Sequence, residues 1–212
     1  MTATDLADVE YVVHTLAQTA VDKEKEFGDL DAVVGDGDLG YSLARGFDKV
    51  LADWDTFKRD DVATFLQQIA LAISSRIGGT SGPLWGTAFL RASATAKTLD
   101  VIDGAAAVAM LRAAAEGIMA RGNASLGDKT LLDALIPATD ELERQLAAGA
   151  SPAECRAAFT RTARERADAT SALQARRGRA SYSGERSIGS PDAGAVALAI
   201  IIERVTAEWD SH

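Results

Sequence analysis

Apolar residues recur along most of this 212-residue chain at the spacing of helices. Near the N-terminus Leu6, Val9, Val13, Leu16 and Ala20 fall three and four residues apart, on one helical face. Val62, Phe65, Leu66, Ile69 and Ile73 repeat that spacing behind Asp60 and Asp61, either of which can cap a helix start. Alternating apolar and polar segments are rare, aromatics make up 6% and alanine is abundant, so helix is favoured over sheet. Glycine, proline and capping residues cut the pattern into eight helices. One follows the glycines at 35–40 and reaches about residue 54. The helix of Val62 ends at Gly78-Gly79, and Ser81-Gly82-Pro83 opens the next, with proline in the first turn. Asp103 starts a helix ending near Gly122, and Asp128 starts one running to Gly149 with a kink expected at Pro137. Ser151-Pro152-Ala153-Glu154 is a capping box, and the helix behind it is predicted to reach Arg176. Residues 175–194 are polar and glycine-rich and predict a long loop. The last helix, about 192–209, is apolar almost all round at its start and should be central. With no linker, repeat or low-complexity tract, residues 1–212 are read as one domain.

Composition narrows the function. Apolar residues at 47% and charged residues at 25% are the balance of a soluble globular protein. A net charge of -9 argues against nucleic acid or an anionic membrane as partner. The single cysteine, Cys155, excludes an internal disulfide framework and sits among small residues with no adjacent base, so it reads as a packing residue. Acidic residues stand where a signal peptide needs basic ones, and the longest apolar run, 193–202, is far short of the about 20 residues of a membrane span. A cytoplasmic protein is expected.

The chemistry lies in the loops. Residues 29–40 read DLDAVVGDGDLG, where Gly35, Gly37 and Gly40 fit the glycine pattern of a dinucleotide loop behind a run, LDAVV, that can pass for a strand. That reading needs parallel βαβ units, and this chain is helical on both sides. It also leaves Asp31, Asp36 and Asp38 unexplained. Carboxylates this close repel unless a cation lies between them, and no Lys or Arg follows before Arg45. A hard divalent cation with oxygen ligands answers that, and Mg²⁺ keeps positions open for phosphate. An EF-hand fails, because Phe47 stands where its last ligand belongs. Asp36 and Asp38 as turn or capping residues is the competing reading. A second stretch, from Gly122 to Thr130, nearly spells a P-loop, but Asp128 intervenes before Lys129-Thr130. Thr130 offers its hydroxyl to a phosphate or to the backbone of its own helix. Thr80 and Ser81 precede a helix among small residues that let a ligand approach the backbone. Arg176, Arg177, Arg179 and Arg186 crowd one loop of an otherwise acidic chain, which suits phosphate contact or a solvated surface. Trp85 and Tyr182 are read as packing residues.

Taken together, LDAVVGDGDLG, RGFDKV, GGTSGPLWGTAFLRA, Arg121-Gly122 with GDKTLLDAL, and QARRGRASYSGERSIGSPDAGA resemble the L subunit, or nucleotide-binding domain, of dihydroxyacetone kinases. The resemblance spans residues 30–195. It implies an all-α fold, a closed barrel of eight antiparallel helices with a nucleotide site at one rim. Asp31, Asp36 and Asp38 match the family's aspartates for two Mg²⁺ ions. Leu39, Gly40, Tyr41, Ser42, Thr80, Ser81, Gly122, Leu131, Arg179, Asp192, Ala193 and Gly194 match nucleotide contacts, with Thr130 beside them. Arg179 would offset charge in the transition state. The implied activity is phosphoryl transfer from ATP, or from a permanently bound ADP rephosphorylated by a phosphotransferase-system protein, to a small ketose. The ketose would sit on a separate K-type subunit, whose substrate histidine has no counterpart in His14 or His212. Leu39 and Ser42 stand where the phosphotransferase-dependent subclass has His and Asn. Ser42 leans toward ATP as donor, and Ala193 departs from the usual proline. The nucleotide domain of a fatty-acid kinase and a non-catalytic regulatory module are the rival readings.

Overall fold

The computed structural model describes residues 6–75 and 81–211, and of Ser81 and Ser211 only the backbone. The described residues are all-α, without a strand. Among the described residues nine α-helices run in order: α1 Leu6–Asp22, α2 Glu24–Ala32, α3 Leu39–Ala52, α4 Val62–Ser74, α5 Ser81–Ala96, α6 Gly104–Gly122, α7 Leu132–Ala147, α8 Pro152–Ala169 and α9 Ala193–Ala207. Short 3-10 segments lie at Trp54–Thr56, Thr170–Ala172, Arg179–Ser187 and Trp209–Ser211. No described helix is long and apolar enough to cross a membrane.

Local signals set most boundaries. Asp61 accepts a hydrogen bond from the Thr64 amide at 2.6 Å and starts α4. Asp103 takes the Ala106 amide at 3.0 Å and starts α6, which ends where Asn123 turns left-handed at φ 46°. Ser151 and Glu154 complete the capping box of α8. The α1 face buries Val9, Val13, Ala17 and Ala20, and α4 buries Phe65, Leu66, Ile69 and Ile73, as their spacing requires.

The packing order closes on itself. α1 packs on α3, and α3 through α9 each pack on the next helix until α9 returns to α1. α2 lies against α3 and α9. It is the helix by which nine exceed the expected eight. Helical bonding continues across the α1–α2 junction, from Lys23 N to Thr19 O at 3.0 Å and from Phe27 N to Lys23 O at 2.9 Å. The LDAVV run is therefore the end of a helix and a turn, not a strand. One apolar cluster, rich in Phe27, Phe47, Phe65 and Ile69, fills the α1–α3–α4 side. A second, built largely of alanines with Leu132 and Leu135, fills the α6–α9 side. Trp85 touches both and meets Phe47 edge-on with centroids 5.8 Å apart. α9 contributes to both clusters, the central place that its pattern predicts.

Three boundaries differ from expectation. α7 begins at Leu132, not at Asp128. Asp128 turns its carboxylate back to the Ser125 amide, Lys129 adopts φ 62°, and Asp133 takes the Gly127 and Thr130 amides, so regular helix is delayed. α8 stops at Ala169, because Thr170 turns its hydroxyl to Ala167 O and receives the Asp192 amide. The 175–194 stretch is not all loop: Arg179–Ser187 forms 3-10 turns. The Gly78-Gly79 helix end lies outside the described residues, and α4 ends at Ser74.

Candidate functional site

The turn between α2 and α3 is built by close backbone approach. Gly35 N donates to Asp31 O at 2.6 Å, and Gly37 takes φ 76°, a conformation that favours glycine. Gly40, in the first turn of α3, lies so near α2 that a Cβ there would sit 1.9 Å from Glu24 O. The chain thus folds back on itself, and Asp31, Asp36 and Asp38 bring carboxylate oxygens within 4.8 Å of one another. Asp31 is half-buried and the other two are exposed. Burial, then the charges of Asp36 and Asp31, hold the Asp38 carboxyl above the usual range, against the pull of Arg179. Asp38 does not cap α3 with its side chain, and an uncapped helix start leaves its first amides open to water or a ligand.

The cation that the local sequence lacks comes from far along the chain. Arg179, at the start of the 3-10 segment, places Nε 2.8 Å from Asp36 Oδ2. Ser183 of the same segment donates to Val34 O at 3.1 Å. Arg177 instead pairs with Asp128 at 3.1 Å, so the arginine cluster divides between the aspartates and the turn before α7.

A second group of helix ends lies beside the first. Asp192 caps α9, accepting the Ala195 amide at 2.8 Å. A Cβ on Gly194 would lie 3.6 Å from Leu131 Cβ, which puts the start of α9 against the turn before α7. Burial pushes the Asp192 carboxyl up to about 7; the Ala195 amide opposes this, the charge of Asp133 adds to it, Lys129 opposes it and Asp31 adds to it. Repulsion from Asp31 ties this group electrostatically to the aspartates.

The remaining candidates scatter more. Leu39 is half-buried against the α1–α3–α4 core, and Gly40 is buried. Ser42 is half-buried, and its amide closes the first helical bond, to Asp38 O at 2.8 Å. Tyr41 is exposed, with its hydroxyl 2.6 Å from Arg45 Nη1. Gly122 closes the C-terminal end of α6 against Leu84, so it lies at no helix start. The Thr130 hydroxyl accepts from the Leu132 amide at 3.2 Å, a role in starting α7. Leu131 is half-buried in the second core and Ala193 is buried. Thr80 lies outside the described residues, and Ser81 contributes only the first backbone position of α5. Cys155 is buried as expected, whereas Tyr182 is 81% exposed and is no packing residue. Ser183 and Asp133 were missed, and Lys129 was noted only in a near phosphate loop; the partners of Ser183 and Lys129 lie 44 to 149 positions away.

A family model described as the DAK2 domain matches residues 33–207. The chain belongs to the DAK2 domain family. This DAK2 chain is 40% identical over 194 residues to L-erythrulose 1-kinase of Mycolicibacterium smegmatis, covering 91% of itself but 34% of that protein. It is 35% identical over 174 residues to the PEP-dependent dihydroxyacetone kinase ADP-binding subunit DhaL of Escherichia coli, covering 82% of itself and 83% of that subunit. Its fold matches the C. freundii dihydroxyacetone kinase solved with AMP-PNP and Mg²⁺, with a TM-score of 0.78 and 24% identity, over 98% of this chain and 35% of that one. The DAK2 chain therefore spans about a third of the larger kinases and most of the separate subunit.

Proposed function

We propose that the chain, as a single DAK2 unit over 1–212, binds ATP or ADP with Mg²⁺ and serves as the phosphoryl-donor half of a small-ketose kinase. The observation that carries this reading is the carboxylate trio with Arg179 at its edge. Three hard oxygen donors stand close enough to share one cation, and burial, with the charges of Asp36 and Asp31 adding to it, raises the proton affinity of Asp38. The residues fit Mg²⁺, and Asp31, Asp36 and Asp38 would hold it, with two ions as the family resemblance implies. Bound Mg²⁺ supplies the positive charge that lets carboxylates and phosphate oxygens occupy one site.

The chain's own groups do the rest. The uncapped amides of Leu39, Gly40 and Tyr41 offer donors to phosphate oxygens, aided by the positive end of α3. Arg179 lies beside Asp36, where its guanidinium offsets charge developing on the transferred phosphoryl group. Leu131, Asp192, Ala193 and Gly194 line the second group of helix ends, with Ser42, Gly122, Thr130, Thr80 and Ser81 as further nucleotide contacts. His14 is engaged edge-on with Trp54, 5.0 Å between centroids, and offers no base at the aspartates. The acceptor hydroxyl is therefore held and activated by a K-type partner subunit. The names of relatives, for dihydroxyacetone and for erythrulose, support a small ketose as the acceptor.

The test is a titration followed by a reconstitution. Calorimetry with ADP and ATP, with and without Mg²⁺, is expected to show binding that depends on the metal; its absence overturns the reading. The chain is then mixed with a K-type subunit, ATP and a panel of ketoses. Transfer from ATP is the expected result, in keeping with Ser42. Transfer only from a phosphotransferase-system protein would assign the other donor.

A further inference from the structure

The arch that carries Arg179 has almost no apolar anchorage. Between residues 173 and 192 only Ala175 and Ser187 are buried. Its order rests on polar ties, and three of these converge on one residue. Lys129, 1% exposed, donates from Nζ to the carbonyl oxygens of Leu173 at 3.1 Å, of Ser190 at 2.6 Å and of Ser187. An ammonium has three donors, and all three are used. Leu173 and Ser190 are the two feet of the arch, and Ser187 ends its 3-10 turns. The Ser187 hydroxyl extends the clamp, accepting the Ala175 amide at 2.9 Å and donating to Gly184 O at 2.6 Å. Next to Lys129, the carbonyl of Asp128 takes the Arg176 amide at 3.0 Å. Lys129 holds this place with φ 62°, a conformation uncommon outside glycine. In sequence it is the lysine that nearly completes a phosphate loop, yet its ammonium is committed to backbone carbonyls.

Resting on the nucleotide-site reading above, we propose that Lys129 is a positioning residue. It pins both feet of the 173–190 arch to the turn before α7, and through the arch it holds Arg179 on Asp36 and Ser183 on Val34. Its part in phosphoryl transfer is exercised through Arg179.

Two measurements on the full chain test this. Hydrogen exchange on Lys129→Met should show the amides of Ala175, Arg176 and Gly189 exchanging at least about tenfold faster, with α4 and α6 within about twofold of wild type. Unchanged exchange in the arch overturns the proposal whether or not any nucleotide binds. The second is a double-mutant cycle read as Mg²⁺–nucleotide affinity. Lys129→Met should weaken binding by about tenfold in the wild-type background and by less than about twofold in an Arg179→Ala background. A loss of equal size in both backgrounds overturns the route through Arg179. If Lys129→Met does not fold, Lys129→Gln, a shorter neutral donor, is read in both assays with the same criteria. Failure of wild type to bind Mg²⁺–nucleotide sinks the functional reading, and the exchange experiment still decides the clamp.

Discussion

Gly40→Ala tests how the site is assembled, because it adds one methyl group where two backbones meet. The new Cβ would lie 1.9 Å from Glu24 O and 2.6 Å from the Gly28 amide nitrogen, distances that real Cβ atoms do not show. Both obstacles are main chain of α2 and cannot rotate away. α3 must therefore withdraw from α2 by roughly 1 Å, a forced overpacking that costs about 1–3 kcal/mol. In a domain of this size that is a fall in Tm of about 2–12 °C. The gain in helix propensity on replacing glycine, at most about 1 kcal/mol, opposes the loss without cancelling it. Gly122→Ala is the internal control. There the nearest atom is the flexible Leu84 Cδ2 at 3.3 Å, so the same chemical change should leave Tm level or slightly higher.

The functional consequence follows from what each helix carries. Asp31 is on the last turn of α2 and Asp38 is the residue before α3. A shift of about 1 Å between them disturbs the carboxylate set, and misplacement on that scale costs up to about a hundredfold in rate. Thermal melts of both variants followed by circular dichroism, and calorimetric Mg²⁺–ADP titrations of Gly40→Ala against wild type, are the assays. If Gly40→Ala melts with Gly122→Ala and keeps wild-type affinity, the close approach of α2 and α3 is not what assembles the site.

Asp36→Asn removes one carboxylate of the trio and the partner of Arg179, a pair 40% and 68% exposed. Stability should stay within about 1 kcal/mol, while Mg²⁺ affinity by calorimetry falls by about tenfold or more; undiminished affinity removes Asp36 from the metal set. Asp192→Asn should change the pH dependence of stability. The native carboxyl keeps its proton to about pH 7, whereas the unfolded one releases it near 3.8, so between these values the native state binds more protons and wild type loses stability as pH rises. Asparagine caps about as well as aspartate. The variant should therefore gain on wild type from pH 4 to 7 in urea melts, and a difference that does not move with pH refutes the buried-carboxyl account. Ser151→Ala should cost about 1 kcal/mol through the lost capping box, lowering Tm by about 2–4 °C with nucleotide affinity unchanged; an unshifted Tm would show that the box contributes nothing.

Features that depend on residues within four positions of each other could be read from the chain directly. The faces of α1 and α4 and the caps Asp61, Asp103, Ser151 and Asp192 are of this kind, because one helical turn brings their partners together. The aspartate trio was nearly as plain, since three carboxylates within eight residues meet through one turn. The failures share the opposite property. Beside their local bonds, the turn that delays α7 carries Lys129, whose partners lie 44 to 61 positions away, and the end of α8 carries Thr170, which receives an amide 22 positions away. The neutralising cation at Asp36 lies 143 positions along the chain, in a loop whose arginines were plain but whose partner was not. That loop has no apolar period to betray its 3-10 turns, because polar ties to a buried lysine hold it and hydrophobic packing does not. Periodicity registers which face of an element turns inward. It does not register which distant element that face meets, and the site chemistry of this chain is assembled by such meetings.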